Sequence, residues 1–506
     1  MIPVLGDNFI SQAADDEQPN YAGCMAGTRV GVLSKFITWI KNDPMAIFWL
    51  AGMAGTGKTS IAVSLCRMLR DDPAVFLGGG YFCSRTAGSI ARTDVRCILP
   101  TLATLLAGKS QKFAAALAEQ LEKDPRVGHK PVGEQLDPLL RRPLAVLDAS
   151  TRPIVFVIDA LDECGNEREL AELLKLLADL QFDGKVKFIL TSRPELHIRG
   201  TPISNSAHNT ILQLHTIDAD EVTSDIRVYI RGTLEDTAAE TTWYTEKDVE
   251  LLVKLSGGLF IFASTVLRYV LDPDDNEERQ GRLLKVTSTT VKRNAATTAV
   301  DNVYELVLTD VTRDDMTDPD ELETTRRILA SILIVRQPLS VEALAALMEI
   351  KPGRLRASLR RLHSLVYIPP DDAEPGVRTL HASFGDYLFD RATVDLRVTA
   401  ALGHDALARG CLRRFARDDL CFNLSRSPSS FEPNVGTTPA WISLSLIYAC
   451  LHWAHHIDAS SNRRAFNDEI DKIFRKKFLF WLEILSVMGK IGVASGLLRI
   501  AGSAVS

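Results

Sequence analysis

Apolar positions along the chain repeat first with a helical period and then in short unbroken runs. Val30, Leu33, Phe36, Ile37 and Ile40 recur at helical spacing and predict an amphipathic helix that Asp43-Pro44 ends. From there five apolar runs alternate with helical stretches: IFWLAG at 47–52, GGYFC at 79–83, PIVFVID at 153–159, VKFILTS at 186–192 and TILQLH at 210–215. Runs without a polar face, spaced by helices, predict a parallel sheet covered on both faces by helices, so the first domain reads as α/β.

Beyond 216 the strand pattern stops. Helical patterns follow at 219–234, 246–255, 258–272 and 299–312, and the charged, Thr-rich stretch 276–298 reads as an exposed linker. Residues 319–393 carry three helical patterns, then Leu365–Ile368 and Val377–Leu380 separated by PPDDAEPG, the layout of a helix-turn-helix with a β wing. The remainder is helical, with a Ser/Pro-rich break at 424–439. Phe478 to Ile500 is the most apolar stretch, but Glu483, Lys490 and Arg499 interrupt it, and charges near a bilayer centre cost ~2.5 to 3.5 kcal/mol each. It reads as core helix. The boundaries expected are a leader at 1–26, an α/β domain at 27–216, a helical domain at 217–312, a winged helix at 313–393 and a C-terminal helical domain at 394–506.

Composition narrows the function classes. A chain of 506 residues, 46% hydrophobic and 24% charged, is ordinary folded protein of several domains. Lys plus Arg number 58 against 64 Asp plus Glu, a net charge of −6, which gives no global attraction to nucleic acid or anionic membrane. Eight cysteines without C-x-x-C spacing argue against a zinc site or disulfide framework and read as reduced thiols. The N-terminus lacks the basic flank and apolar run of a secretory signal, so a cytoplasmic location is expected.

The chemistry concentrates in the α/β domain. Gly52-Met53-Ala54-Gly55-Thr56-Gly57-Lys58-Thr59 fits G-x-x-x-x-G-K-[ST], follows an apolar strand and opens a helix through Ser60. Glycines let the backbone N–H groups turn onto a polyphosphate, Lys58 neutralises β and γ oxygens, and Thr59 supplies a magnesium ligand. The strand ending in Asp159 places a second metal-binding oxygen at the carboxyl edge of the sheet. Asp162 and Glu163 lie where a carboxylate polarises an attacking water, and Arg193 ends the strand at 186–192, where a guanidinium would sense a third phosphate.

AGMAGTGKTS, VFVIDALDEC and FILTSRPE together resemble the NACHT branch of the STAND signalling ATPases, particularly the large fungal set. The distinguishing detail is Asp159-Ala160-Leu161-Asp162-Glu163, a small residue after the metal-binding aspartate and then a distal acidic pair. The resemblance implies that Thr28 and Arg29 border the adenine, and that His381, in LHASFGDYL, touches the β-phosphate of ADP as a latch between modules. Phe260 stands where many such proteins have a proline that packs on the base. The implied activity is an ATP/ADP-dependent switch with slow Mg²⁺-dependent hydrolysis, closed with ADP and self-associating with ATP. Such proteins commonly carry an effector domain before the switch and sensor repeats after it; neither is visible here, so the expectation is a switch completed by effector or sensor proteins in trans, a minimal regulator, or a truncated gene model.

Two other readings compete. Lys351, Arg354, Arg356, Arg360 and Arg361 form a basic run suited to a nucleic-acid groove, which the acidic net charge disfavours. A continuously turning-over ATPase motor is the other. His452, His455 and His456 have helical metal-ligand spacing but lack Cys or acidic partners, and read as a polar helix face.

Overall fold

The computed structural model describes residues 22–85, 92–147, 152–180, 185–205, 209–237, 243–290, 299–312, 319–369, 376–392, 397–417, 420–426 and 441–505. The described residues up to 290 form one compact unit and those from 299 another. The leader up to 21, the centre of the wing at 370–375 and most of the Ser/Pro-rich break lie outside them.

The first unit is built on five parallel strands: β1 Ile47–Ala51, β2 Phe76–Phe82, β3 Ile154–Asp159, β4 Val186–Ser192 and β5 Thr210–Gln213. Their spatial order is β2-β3-β4-β1-β5. Successive side chains point to opposite faces, and β3 divides its apolar residues accordingly. Phe156 and Ile158 join one core with Leu99, Leu102, Leu106 and Leu173, whereas Val155 and Val157 join another with Phe36, Ile61 and Leu65. Every residue of β1 and β4 is buried, which is why β1 reads as a continuous apolar run and β4 as one broken only by Lys187 before its closing Thr191 and Ser192. Lys187 in β4 is tolerated because its ammonium donates to the carbonyls of Asp43 at 2.6 Å and Met45 at 3.0 Å and sits over the Trp39 ring.

Helices Ala219–Glu235, Glu246–Ser256 and Phe260–Leu271 follow β5. The linker expected at 276–298 is in part a helix, Asn276–Thr290. Leu283 and Val286 bury one face, Asp275 accepts the Glu278 N–H at its start, and Arg282 spans Asp272 and Glu278. Two apolar anchors at i, i+3 suffice once caps and ion pairs hold the rest. Residues 291–298 lie outside the described residues.

In the second unit, helices Pro319–Ile334, Val341–Met348 and Pro352–Arg360 precede an antiparallel pair, β6 Val366–Tyr367 with β7 Arg378–Thr379. Helices Ala400–Ala416 and Leu444–Asp458 pack along each other. The second of these corrects the polar-face reading of its histidines. His456 is fully buried, its Nε2 2.7 Å from Tyr448 Oη and its Nδ1 3.0 Å from His404 Nδ1, and burial pushes His452 down to about 3. The apolar stretch 478–500 is two helices, Asn467–Val487 and Ala494–Val505, separated by a turn at Gly489. Among the described residues no helix is long and apolar enough to cross a membrane.

Candidate nucleotide site

The loop 52–57 leaves the carboxyl end of β1 and delivers the chain into the helix Lys58–Asp71. Gly55 and Gly57 sit at φ 78° and 89°, left-handed conformations that carry no Cβ penalty for glycine. A Cβ at Gly55 would also lie 2.1 Å from Ile261 Cγ2. The close approach is a hydrogen bond: Ile261 N–H donates to the Gly55 carbonyl at 3.1 Å, so the first turn of the helix Phe260–Leu271 rests on the loop. The Lys58 ammonium donates to the carbonyls of Gly52 at 2.7 Å and Met53 at 3.0 Å, and burial lowers its pKa. Met53 is exposed and Ser60 occupies the first turn of the helix.

Because β4 lies between β1 and β3, the Asp159 carboxylate stands one strand away from the loop it serves. Two hydroxyls close that gap. Thr59 donates to Asp159 Oδ2 at 2.7 Å, and Thr191 at the end of β4 donates to Oδ1 at 2.6 Å while accepting the Ala160 N–H at 3.0 Å. Burial raises the Asp159 pKa and these two hydrogen bonds oppose the rise. Ala160 is left-handed, at φ 57°, which a small side chain tolerates best and which turns the chain into the short helix Leu161–Glu163.

That turn presents both distal acids. Asp162, almost fully buried, accepts the Arg193 N–H at 2.8 Å and pairs with Arg193 Nε at 3.2 Å. Glu163 accepts the Arg85 N–H at 2.7 Å, and the Arg85 guanidinium donates to the Asp162 carbonyl. Burial pushes the Glu163 carboxyl up to about 7. A carboxyl poised near neutrality is the state in which it exchanges a proton with water most effectively.

On the opposite side of the loop, Arg29 donates from Nη2 to the Thr56 carbonyl at 2.9 Å. Its guanidinium lies 4.8 Å from the Phe260 ring centroid, and its backbone N–H donates to Asp225 Oδ2 at 3.1 Å. Arg29 Nε and Nη1 are buried without a hydrogen-bond acceptor, which leaves donors for a ligand beside Thr56 and Phe260. Thr28 turns its hydroxyl onto the Met25 carbonyl at 2.8 Å.

The first unit therefore gathers Arg29, the loop 52–60, Asp159, Asp162, Glu163, Arg193 and Phe260 around one edge of the sheet. His381 belongs to the second unit, where it caps the helix Ala382–Asp386: its Nδ1 accepts the Ser383 N–H at 3.1 Å. Three residues of the site were not legible beforehand. Thr191 stood within the strand run with no sign that its hydroxyl would be the one to reach Asp159. Arg85 and Asp225 sit in unpatterned or helical sequence and gain their roles from distant neighbours. Thr59 and Asp159 present the hard oxygen donors that Mg²⁺ takes, already 2.7 Å apart, with Lys58 close enough to sense the Asp159 and Asp162 charges. The site fits that ion. Among the described residues no other cluster has the makings of a metal site.

Comparison with known proteins bears on the same region. The family profile described as Nephrocystin 3, N-terminal, matches residues 28–193. The vegetative incompatibility protein HET-E-1 of Podospora anserina is 21% identical over 498 residues, covering 90% of this chain and 34% of that protein. These matches support a likeness to the NACHT-type STAND NTPases. The chain spans about a third of the length of the curated relative it matches. Among solved structures it resembles a STAND protein with a tetratricopeptide repeat sensor from Pyrococcus horikoshii (14% identity, 93% of this chain, 57% of that chain, TM-score 0.41) and Cdc6p from Pyrobaculum aerophilum (13%, 77%, 96%, TM-score 0.29). The P-loop architecture rests on the chain's own sheet order and loop.

Proposed function

We propose that the chain is an ATP/ADP-dependent signalling switch with slow, Mg²⁺-dependent hydrolysis. The observation that carries this reading is the junction of Thr59, Asp159 and Thr191 at the carboxyl edge of the sheet, one hydrogen bond from the loop and flanked by the Arg193–Asp162 pair. The loop N–H groups and Lys58 would hold the phosphates, Lys58 exchanging its two loop carbonyls for phosphate oxygens. Thr59 and Asp159 would hold Mg²⁺, which when bound neutralises charge on the phosphate oxygens. Glu163 is the group placed to take a proton from an attacking water, and Arg193 the group placed to answer to the third phosphate. The base would lie by Arg29 and Phe260, where the guanidinium Nε and Nη1 are buried without a hydrogen-bond acceptor.

Differential affinity drives such a switch: ADP favours a closed arrangement of the α/β, helical and winged-helix modules, latched by His381, and ATP an open one that self-associates. A cytoplasmic location and effector or sensor partners in trans belong to this reading. A nucleic-acid role is disfavoured further by the ion pairs that Arg354 makes with Glu321 and Arg356 with Glu342. Continuous turnover as a motor stays as the alternative, identified by steady-state rates above ~1 per second. The test is Lys58→Ala. Loss of copurifying nucleotide and of ATP binding by at least ~100-fold is expected from removing a charge-assisted phosphate contact; unchanged affinity refutes the phosphate site.

A further inference from the structure

Cys83 follows the last residue of β2, and Cys164 follows Glu163 at the end of the acidic turn. They are 81 positions apart in sequence, yet their Sγ atoms lie 3.4 Å from each other in the interior. Both are free thiols, and both are nearly buried, Cys164 slightly the more open at 7% exposure against 4%. The backbones beneath them are pinned as well. Cys83 N–H donates to the Asp159 carbonyl at 3.1 Å, where β2 pairs with β3, and Cys164 N–H donates to the Leu161 carbonyl at 3.2 Å. Neither thiol takes part in the nucleotide chemistry described above, yet between them they bracket it. Cys164 adjoins Glu163, and two residues after Cys83 comes Arg85, whose N–H holds the Glu163 carboxylate.

We propose that Cys83 and Cys164 are a redox modification site, joined by a reversible disulfide when a hydroperoxide reaches them, and that the bond displaces Glu163 from its working position. The second half rests on the hydrolytic reading of Glu163. Chemically, the Cys164 sulfur attacks one peroxide oxygen and the O–O bond breaks, giving a sulfenic acid and one water. The Cys83 sulfur then attacks the sulfenic sulfur, the S–O bond breaks, and the departing hydroxide leaves as a second water with the Cys83 proton. Two thiols lose two electrons and two protons, and one hydrogen peroxide becomes two waters.

The sulfurs must close from 3.4 Å to the ~2.05 Å of a disulfide, a movement within reach of small χ1 changes and a slight shift of the turn. Cys83 is fixed in the sheet ladder, so the adjustment falls on the acidic turn and on its two hydrogen bonds with Arg85. The hydrogen bond with Cys164 and burial keep the Cys83 thiol protonated well above its ordinary range, so the reduced form is quiescent toward mild oxidants. Cys421 is exposed and is therefore expected to react first.

The test uses the full chain carrying Cys421→Ser, exposed to hydrogen peroxide, alkylated, and digested without reductant. Mass spectrometry is expected to find the Cys83 peptide joined to the Cys164 peptide, lighter than their sum by two hydrogens, released by dithiothreitol and missing in both Cys83→Ser and Cys164→Ser. Both thiols still alkylated, or either oxidised to sulfinic acid without the cross-link, overturns the site. Mg-ATP hydrolysis by the same samples is expected to fall by about tenfold on cross-linking, in line with displacement of a catalytic group by less than an ångström, and to recover with dithiothreitol, with nucleotide affinity held within about twofold. A cross-link that leaves hydrolysis unchanged overturns its coupling to Glu163. A reduced chain that does not hydrolyse ATP removes that coupling too, while the cross-link itself is still decided by mass alone.

Discussion

At the scale of single residues the acidic edge of the site is a set of polar groups whose burial is tolerable because they hold one another. Thr191 is the clearest case. Its hydroxyl satisfies the Asp159 carboxylate and the Ala160 N–H at once, so Thr191→Val keeps the shape and orphans a buried donor. A loss of about 1 to 3 kcal/mol of unfolding free energy in urea is expected, along with weaker Mg²⁺-dependent nucleotide binding. Glu163 makes a prediction with a sign. Its folded-state pKa, about 7, lies above its ordinary 4.5, so the folded chain holds this proton more tightly than the unfolded chain does. The stability it contributes is full below about 4.5 and is lost as pH rises through about 7. Glu163→Gln should therefore leave the melting temperature unchanged at pH 4, where both forms are neutral, and raise it relative to the parent at pH 8. On the proposed reading hydrolysis would need the carboxylate, so it should rise through about pH 7 in the parent, with the arm lost in the variant. A melting difference that is the same at both pH values would disprove the raised carboxyl.

At the scale of elements, what positions the chemistry is which strand lies beside which, and that was only half visible beforehand. Strands buried on both faces announce themselves: β1, β3 and β4 read as largely apolar runs because all their residues but Ile154, which is partly covered, are buried. β2 begins at Phe76, three residues before its apolar run, because Gly78 and Gly79 interrupt the pattern where Phe156 and Leu105 press against the strand. Helix Asn276–Thr290 was hidden for the opposite reason: its anchors are two, and its caps and ion pairs are polar. The loop, Asp159 and the acidic pair were legible as motifs because their chemistry is local. The insertion of β4 between β1 and β3 was not, since it is decided by long-range packing, and with it went the role of Thr191. The contact between the loop and the helix Phe260–Leu271 is another long-range feature, and it carries its own prediction. Gly55→Ala must place a methyl against Ile261 from a left-handed backbone, a double penalty that should destabilise the chain by at least ~1 kcal/mol and weaken ATP binding. The compound variant Gly55→Ala with Ile261→Ala should recover part of the stability by relieving the clash, though not the backbone strain. No recovery would show that the helix does not brace the loop.

At the scale of the whole molecule, the question is whether nucleotide identity changes the association state. A ligand bound equally well by two arrangements shifts neither, however tightly it binds, so switching requires ADP and ATP to prefer different ones. On the proposed reading Arg193 would tell them apart: it is held by Asp162 through its backbone and its guanidinium, and a third phosphate would compete with Asp162 for that charge. At ~1,000 times its dissociation constant a nucleotide stabilises its preferred form by ~4 kcal/mol, enough to move a balanced equilibrium almost wholly to one side. With ADP and Mg²⁺ the chain should therefore run as a monomer in light scattering, and with a non-hydrolysable ATP analogue as an assembly. The net charge of −6 opposes self-association at low salt, so the assembly should strengthen as salt screens that repulsion. Arg193→Ala keeps the loop and should bind both nucleotides, while losing the difference in mass between them. If the variant still assembles with the ATP analogue alone, the third phosphate is read elsewhere; if the parent has the same mass with either nucleotide at every salt concentration, the chain binds nucleotide without switching.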